Sequence, residues 1–259
     1  MTVVSPRAVL IQHLDTVMAA SEWAAPERRR LVELMALFAT LPAPADPFGL
    51  YPGYGALREH FLNAVEHGVT EPLEESFLAL YSHLHGYEVP LTPAERLRHR
   101  ASNGYLCHIG GLSPIVKSAS HINADSVVAD YGAGNGLQGL LMQILRPHRA
   151  TVQIELSSLL LESGKQLQAW LGVPQERVRW LAADVADVSP AAMDFIYIYR
   201  PVRPGGEGRR FYQRFARALT ASDGPCVIFS VADCLRDFLP RAFEAFYEDG
   251  HLTCYRRGR

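Results

Sequence analysis

Apolar residues recur along this chain with two different periods, and the change between them falls near residue 120. Before it the spacing is helical. Leu31, Leu34, Met35, Leu37 and Phe38 follow a Pro26 placed for a first helical turn. Leu73, Phe77, Leu80, Tyr81 and Leu84 repeat the pattern behind Thr70, which is placed to cap, with Gly86 as the stop. Between these runs, residues 41–55 hold too much proline and glycine for regular structure and predict an ordered loop. Thr92-Pro93-Ala94-Glu95 reads as a capping box with proline at the first helical position, opening an arginine-rich helix. Ser113-Pro114 begins a last short helix.

From residue 126 strand-like runs alternate with helical ones, which predicts a parallel sheet covered on both faces. The strands are expected at 126–131, 150–155, 177–183, 193–199 and 224–231. The first intervening helix carries Leu137, Leu140, Leu141 and Ile144 and ends before Pro147; Ser157 or Ser158 caps a second that runs to Leu171. A third spans about 207–220, with Phe211, Phe215 and Leu219 on one face. At the C-terminus two apolar segments flank Glu248-Asp249-Gly250, and Asp-Gly is a hairpin signal. The expected fold is α/β: a doubly wound, mostly parallel seven-stranded sheet with an antiparallel C-terminal hairpin, preceded by an α-helical region. The division is drawn as 1–112, a helical lid or substrate region, and 113–259, the core.

Bulk properties narrow the function only a little. A formal net charge of −2 lacks the excess of Lys and Arg that sequence-independent nucleic-acid binding needs. The basic runs Arg28-Arg29-Arg30 and Arg256-Arg257-Gly258-Arg259 read as solvated surface. Cys107, Cys226, Cys234 and Cys254 show no metal-like spacing, and His83 and His85, two apart on a helix, splay away from each other, so no metal is expected. His121 and His148 read as loop residues. No stretch approaches the roughly 18 apolar residues of a membrane span, and no signal peptide pattern opens the chain, so a cytoplasmic protein without membrane attachment is expected.

The chemistry concentrates where the first strand ends. Residues 127–136 read V-V-A-D-Y-G-A-G-N-G, and Glu155 closes the next strand nineteen positions after Gly136. Glycines allow backbone to approach a ligand with no Cβ in the way, and a carboxylate at the second strand tip can accept hydrogen bonds from two ribose hydroxyls. The glycine spacing is one residue tighter than the dinucleotide pattern. Asp130-x-Gly132-x-Gly134-x-Gly136 resembles motif I of the class I S-adenosylmethionine (SAM)-dependent methyltransferases, over about residues 113–257.

That resemblance implies SAM as cofactor and assigns its seats. Asp130, Gly132, Ala133, Gly134, Asn135 and Gly136 would hold the methionyl end, Glu155 with Leu156 the ribose, and Asp184 with Val185 the adenine; Asp187 is a competitor three residues on. Each acidic residue has a plainer role open to it: a turn cap for Asp130 and Asp184, a helix N-terminal carboxylate for Glu155. The segment after the fourth strand lies beside the methyl group in such enzymes. Here it is Tyr199-Arg200-Pro201-Val202, without the Asn/Asp-Pro-Pro-aromatic motif of base and glutamine N-methylation.

Tyr199 and Arg200 offer a phenol and a fixed cation for an anionic or carboxylate-bearing acceptor, although Arg200 could instead pair with Asp233. Tyr105 and His108, in an unusual polar loop, are further candidates for stacking and general-base roles. The expected activity is methyl transfer by direct displacement to an O- or N-nucleophile of a small molecule. Protein side-chain (lysine-type) methylation and non-catalytic SAM binding are the alternatives, and a nicotinamide-dependent dehydrogenase is disfavoured by the glycine spacing and the hairpin. A homodimer through the helical N-terminal region is the expected assembly.

Overall fold

The computed structural model describes residues 6–85, 91–105, 109–221 and 226–258. They fall into two units, Met1–Tyr87 and Glu88–Arg259, whereas the sequence division was drawn after 112. The capping-box helix therefore belongs with the sheet.

The first unit contains α1 (Pro6–Val17), α2 (Ala25–Thr40), α3 (Tyr54–His67) and α4 (Thr70–His83). Its core is aromatic and aliphatic: Phe38, Phe61 and Phe77 meet at centroid distances of 5.4 Å, with Leu14, Met18, Leu34 and Leu80 buried around them. The 41–55 segment gives way to α3 at Tyr54, and Gly68 turns the chain between α3 and α4 with φ +67°. Thr70 does not cap α4. Val69 occupies the capping position, and the Thr70 hydroxyl instead donates to the Val17 carbonyl at 2.7 Å, a long-range contact invisible to local pattern. Gly86, expected to stop α4, lies outside the described residues.

The second unit opens with α5 (Pro93–Ala101) and α6 (Leu112–Ser118) and continues through β1 (Val127–Tyr131), α7 (Leu137–Leu145), β2 (Ala150–Glu155), α8 (Ser158–Trp170), β3 (Val178–Ala182), β4 (Phe195–Tyr199), α9 (Glu207–Thr220), β5 (Val227–Val231), β6 (Phe243–Glu248) and β7 (Leu252–Arg257). The strands form one seven-stranded sheet in the order β3-β2-β1-β4-β5-β7-β6. The first five are parallel, and β7 runs antiparallel between β5 and β6. Each expected strand and the hairpin are present.

Right-handed crossovers that step from β1 to β3 and, in the other direction, from β4 to β5 place α7 and α8 on one face and α9 on the other. Side-chain parity follows. Ala129, Tyr131, Ile154, Ile196 and Ile198 pack with Phe211, Phe215 and Leu219 of α9, and the Tyr131 and Phe215 rings meet edge-on at 5.1 Å. Asp130, Gln153 and Tyr197, in register on β1, β2 and β4, share the opposite face under α7. His148 lies in the loop between α7 and β2, as expected, but is fully buried there, with its ring bonded to the Arg146 carbonyl and the Thr151 hydroxyl at 2.7 Å each.

Candidate cofactor site

The sheet order reverses between β1 and β4, so a crevice opens beyond their carboxyl ends, where ligands of open α/β sheets bind. The loop 132–136 forms its floor. Gly132, Gly134 and Gly136 have φ of +82°, +59° and +71°, a region L-residues other than glycine rarely adopt. The loop is pinned to β2, since the Gly132 and Ala133 N–H groups donate to the Ile154 carbonyl at 3.0 and 2.9 Å. The three glycines differ in what surrounds them. A Cβ at Gly136 would lie 2.6 Å from the Trp180 ring, so that glycine is required for packing; a Cβ at Gly134 would meet nothing within 4 Å, so the backbone there faces open space.

Asp130 ends up almost wholly buried, 2% exposed, with neither carboxylate oxygen hydrogen-bonded among the described residues. Burial, reinforced by the charge of Glu155, pushes its carboxyl up to about 8. A buried acceptor pair left without donors is expensive unless a cation or donor joins it. Gln138 is buried on α7 with its Oε1 unpartnered among the described residues, while Gln153, in register with Asp130, donates to the Gly136 carbonyl at 3.0 Å and leaves its own Oε1 unpartnered among them. Neither glutamine was flagged from sequence. Gln153 was accessible through strand parity with Asp130; Gln138 had no signal, since a glutamine early in a helix is ordinary.

Glu155 points inward. One carboxylate oxygen accepts from the Gly134 N–H at 2.9 Å and the other from the Ser157 N–H at 2.8 Å, and burial raises its pKa despite these bonds. These bonds are the local, loop-holding role, and each carboxylate oxygen keeps a further lone pair. Leu156 beside it is half-buried. Asn135 is buried and accepts from the Leu137 N–H at 3.3 Å, closing the loop onto α7.

Asp184 caps a short 3-10 turn, Val185–Asp187, by accepting from the Ala186 N–H at 2.9 Å. With Ala186 and Asp187 it lines a cavity of about 310 Å³ that also includes Arg98, Ala101, Val202 and Phe211. Val185 is buried in the core beneath α9, and Ala186 lines the cavity.

The acceptor candidates separate. Tyr199 ends β4, half-buried, its ring 5.8 Å from that of His251. Arg200 does not pair with Asp233, which is held by Arg236 at 2.9 Å and the Tyr255 hydroxyl at 2.8 Å. It donates to the Ala232 carbonyl instead, and its Nε is buried without a partner among the described residues. Both Arg200 and Ala232 have positive φ, 31° and 53°, a conformation uncommon for side-chain-bearing residues and enriched at functional sites. Tyr105 lies on the same post-β4 segment: its N–H donates to the Pro201 carbonyl at 2.9 Å, Gly104 bridges Val202, and the Arg203 guanidinium stands 5.3 Å from the Tyr105 ring. His108 and Cys107 lie outside the described residues.

The sequence division placed α5 in the helical lid or substrate region without naming a residue of it for the cofactor, and its side chains reach the site. The Glu95 carboxylate accepts from the Ser158 N–H at 2.7 Å and the Ser158 hydroxyl at 2.8 Å, just beyond Glu155. Burial opposes its ionisation, but the hydrogen bonds from Ser158 and Thr92 hold the Glu95 carboxyl down to about 2. His99, one turn on, bonds to the Tyr105 carbonyl at 2.9 Å and lies close enough to Glu155 to act on it electrostatically. Among the described residues no group of three or more His, Cys, Asp or Glu is arranged to hold a metal, and no helix is long and apolar enough to cross a membrane.

No family model matches the chain, and no curated protein matches it in sequence. Solved structures that are similar include an RNA methyltransferase of Salinibacter ruber in complex with S-adenosyl-L-homocysteine, at 16% identity and a TM-score of 0.41, covering 56% of this chain and 87% of that one. TrmN of Thermus thermophilus is similar at 18% identity and a TM-score of 0.42, over 56% of this chain and 47% of its own. The putative methyltransferase yhhF of Escherichia coli gives 13% and 0.41, over 67% and 93%. By the order and direction of its own strands, the sheet unit of this chain has a seven-stranded, Rossmann-like α/β fold with an antiparallel C-terminal pair.

Proposed function

We propose that the protein is a SAM-dependent methyltransferase. The observation that carries this reading is Asp130: a buried carboxylate with both oxygens unpartnered, beside a glycine loop whose Gly134 faces open space. An ammonium group is the natural complement of such a pair, and the residues at hand fit the rest of the cofactor. Glu155 offers its remaining lone pairs to a ribose diol. The 310 Å³ cavity lined by Asp184 has a size suited to a purine, with Ala186, Val202 and Phe211 as apolar lining among the charged Arg98, Asp187, Glu207 and Arg214. When bound, SAM supplies an electrophilic methyl group on a good leaving group, so the protein's task is alignment and exclusion of water.

We assign Arg200 and Tyr199 to acceptor positioning. A buried guanidinium Nε without an acceptor supports an anionic group on a small-molecule acceptor, held by a charge-assisted hydrogen bond. A second reading, a nucleic-acid acceptor, is favoured by one observation. Arg209, Arg210, Arg214 and Arg217 are all exposed on α9, and Arg209 and Arg217 line a cavity of about 810 Å³ beside it. Salt dependence separates the two, since phosphate-backbone contacts lose affinity steeply as salt rises.

Calorimetric titration with S-adenosylhomocysteine and with NAD tests the cofactor assignment. Binding of the first and not the second is expected; the reverse preference overturns the reading. Glu155→Ala should abolish most of that affinity. Arg200→Met should impair acceptor use and spare cofactor binding, and loss of both together would remove Arg200 from the acceptor side.

A further inference from the structure

The two ends of α5 attach on opposite sides of β1. At its first turn Glu95 holds Ser158, the first residue of α8, just past the end of β2. Past its last turn, Asn103, Gly104 and Tyr105 are bonded to the segment 201–205 that follows β4: Arg203 N–H to the Asn103 carbonyl at 2.9 Å, Tyr105 N–H to the Pro201 carbonyl at 2.9 Å, and the Asn103 amide to the Gly205 carbonyl at 3.1 Å. In the sheet, β1 lies between β2 and β4. Residues 95–104 therefore cross the carboxyl end of β1, over the mouth of the crevice. The lengths agree: a nine-residue helix spans about 13 Å, and two strand spacings come to about 9.5 Å.

This strap has no core of its own. No residue of α5 is buried, and Leu97 is 71% exposed. Its underside instead bears on the ribose and adenine positions. Glu95 and His99, four apart and so on one helical face, address Ser158 and the charge of Glu155, while Arg98, Ala101 and Ser102 line the cavity that contains Asp184. At the β4 end the strap is hydrogen-bonded through backbone; at the β2 end it is held by one carboxylate.

Resting on the SAM reading above, we propose that the Glu95–Ser158 contact is a latch: Glu95 is a positioning residue that closes α5 over the bound cofactor and limits its release. Ser158 allows the latch to be cut without damaging either helix. Ser158→Pro removes both the N–H and the hydroxyl that Glu95 holds, yet proline is accommodated at the first position of a helix. Ser157, with φ −77° and ψ 113°, already has the extended backbone required of a residue before proline. The capping box of α5, between Thr92 and Glu95, is untouched.

The test measures release of S-adenosylhomocysteine from the full-length protein by chase, with deuterium uptake at the amides of residues 94–101 followed in parallel. Ser158→Pro should release the ligand at least tenfold faster than the native protein and exchange faster over α5, with a thermal midpoint within a few degrees of native. Ser158→Ala, which keeps the N–H, should show a smaller effect in the same direction. A native protein that binds S-adenosylhomocysteine, paired with a Ser158→Pro variant that releases it within twofold of the native rate, overturns the latch alone. A native protein that takes up no S-adenosylhomocysteine overturns the methyltransferase reading, and the latch falls with it.

Discussion

Asp130 concentrates the energetic tension of the site in one residue. Its carboxyl moves from 3.8 to about 8 on folding, so between those values the folded chain holds a proton that the unfolded chain has lost. Stability from this group is therefore present in full below 3.8 and drains away as pH rises toward 8. A cationic ligand reverses the preference by pairing with the ionised form. Affinity for S-adenosylhomocysteine is thus expected to rise with pH between about 6 and 8, with proton release visible as a dependence of binding enthalpy on the buffer's ionisation heat. Asp130→Asn should flatten that profile, weaken binding and leave the fold at least as stable at neutral pH. The loop glycines give a second expectation. Gly136→Ala combines an unfavourable φ with a collision against Trp180 and should cost more than about 2 kcal/mol in denaturant unfolding. Gly134→Ala meets open space, should cost about 1 kcal/mol, and should act mainly on ligand affinity.

At the scale of elements, α9 is the main helix on its face of the sheet, joined there by loop residues such as Val185, Leu235 and Phe238. The link from β3 to β4 contributes only a 3-10 turn, and among the described residues no helix joins β5 to β6. Phe211, Tyr212, Phe215 and Leu219 supply the contacts, and Tyr212 is further fixed by its hydroxyl donating to the Val202 carbonyl at 2.7 Å. Phe215→Ala should therefore lower stability by about 3–5 kcal/mol, read from chemical denaturation, without a second helix to collapse into the gap. The α5 helix shows the opposite economy: its capping box and side-chain anchors do the work that burial does elsewhere. It was predicted correctly as an element. Its partner, Ser158, was not, because Glu95 and Ser158 lie sixty-three positions apart and neither carries a local signal for the other.

For the whole molecule, the division at Tyr87/Glu88 leaves each unit with a hydrophobic core of its own. A chain comprising Glu88–Arg259 should fold by itself, with a cooperative thermal transition and the same S-adenosylhomocysteine affinity as the full-length protein, because each cofactor residue assigned above lies within it. Loss of cooperative unfolding in that fragment would show that the sheet unit depends on the helices before it. The shift of the boundary from 112 follows from hydrogen bonding: residues 103–105 are tied to 201–205, a pairing that composition does not reveal.

What the sequence determined by itself was set by local periodicity and by backbone chemistry. The alternation of apolar runs specified the strands and helices of the sheet unit, Asp249-Gly250 specified the hairpin, and three alternate glycines after Asp130 specified a loop whose positive φ values only glycine adopts freely. Tertiary structure decided the rest. Burial on all sides made Asp130 an unpartnered acid, a tryptophan forty-four positions away made Gly136 obligatory, and chain crossing brought Glu95 to Ser158 and Arg200 to Ala232. Which groups a side chain meets depends on the packing of segments remote in sequence, and that information is spread over the whole fold.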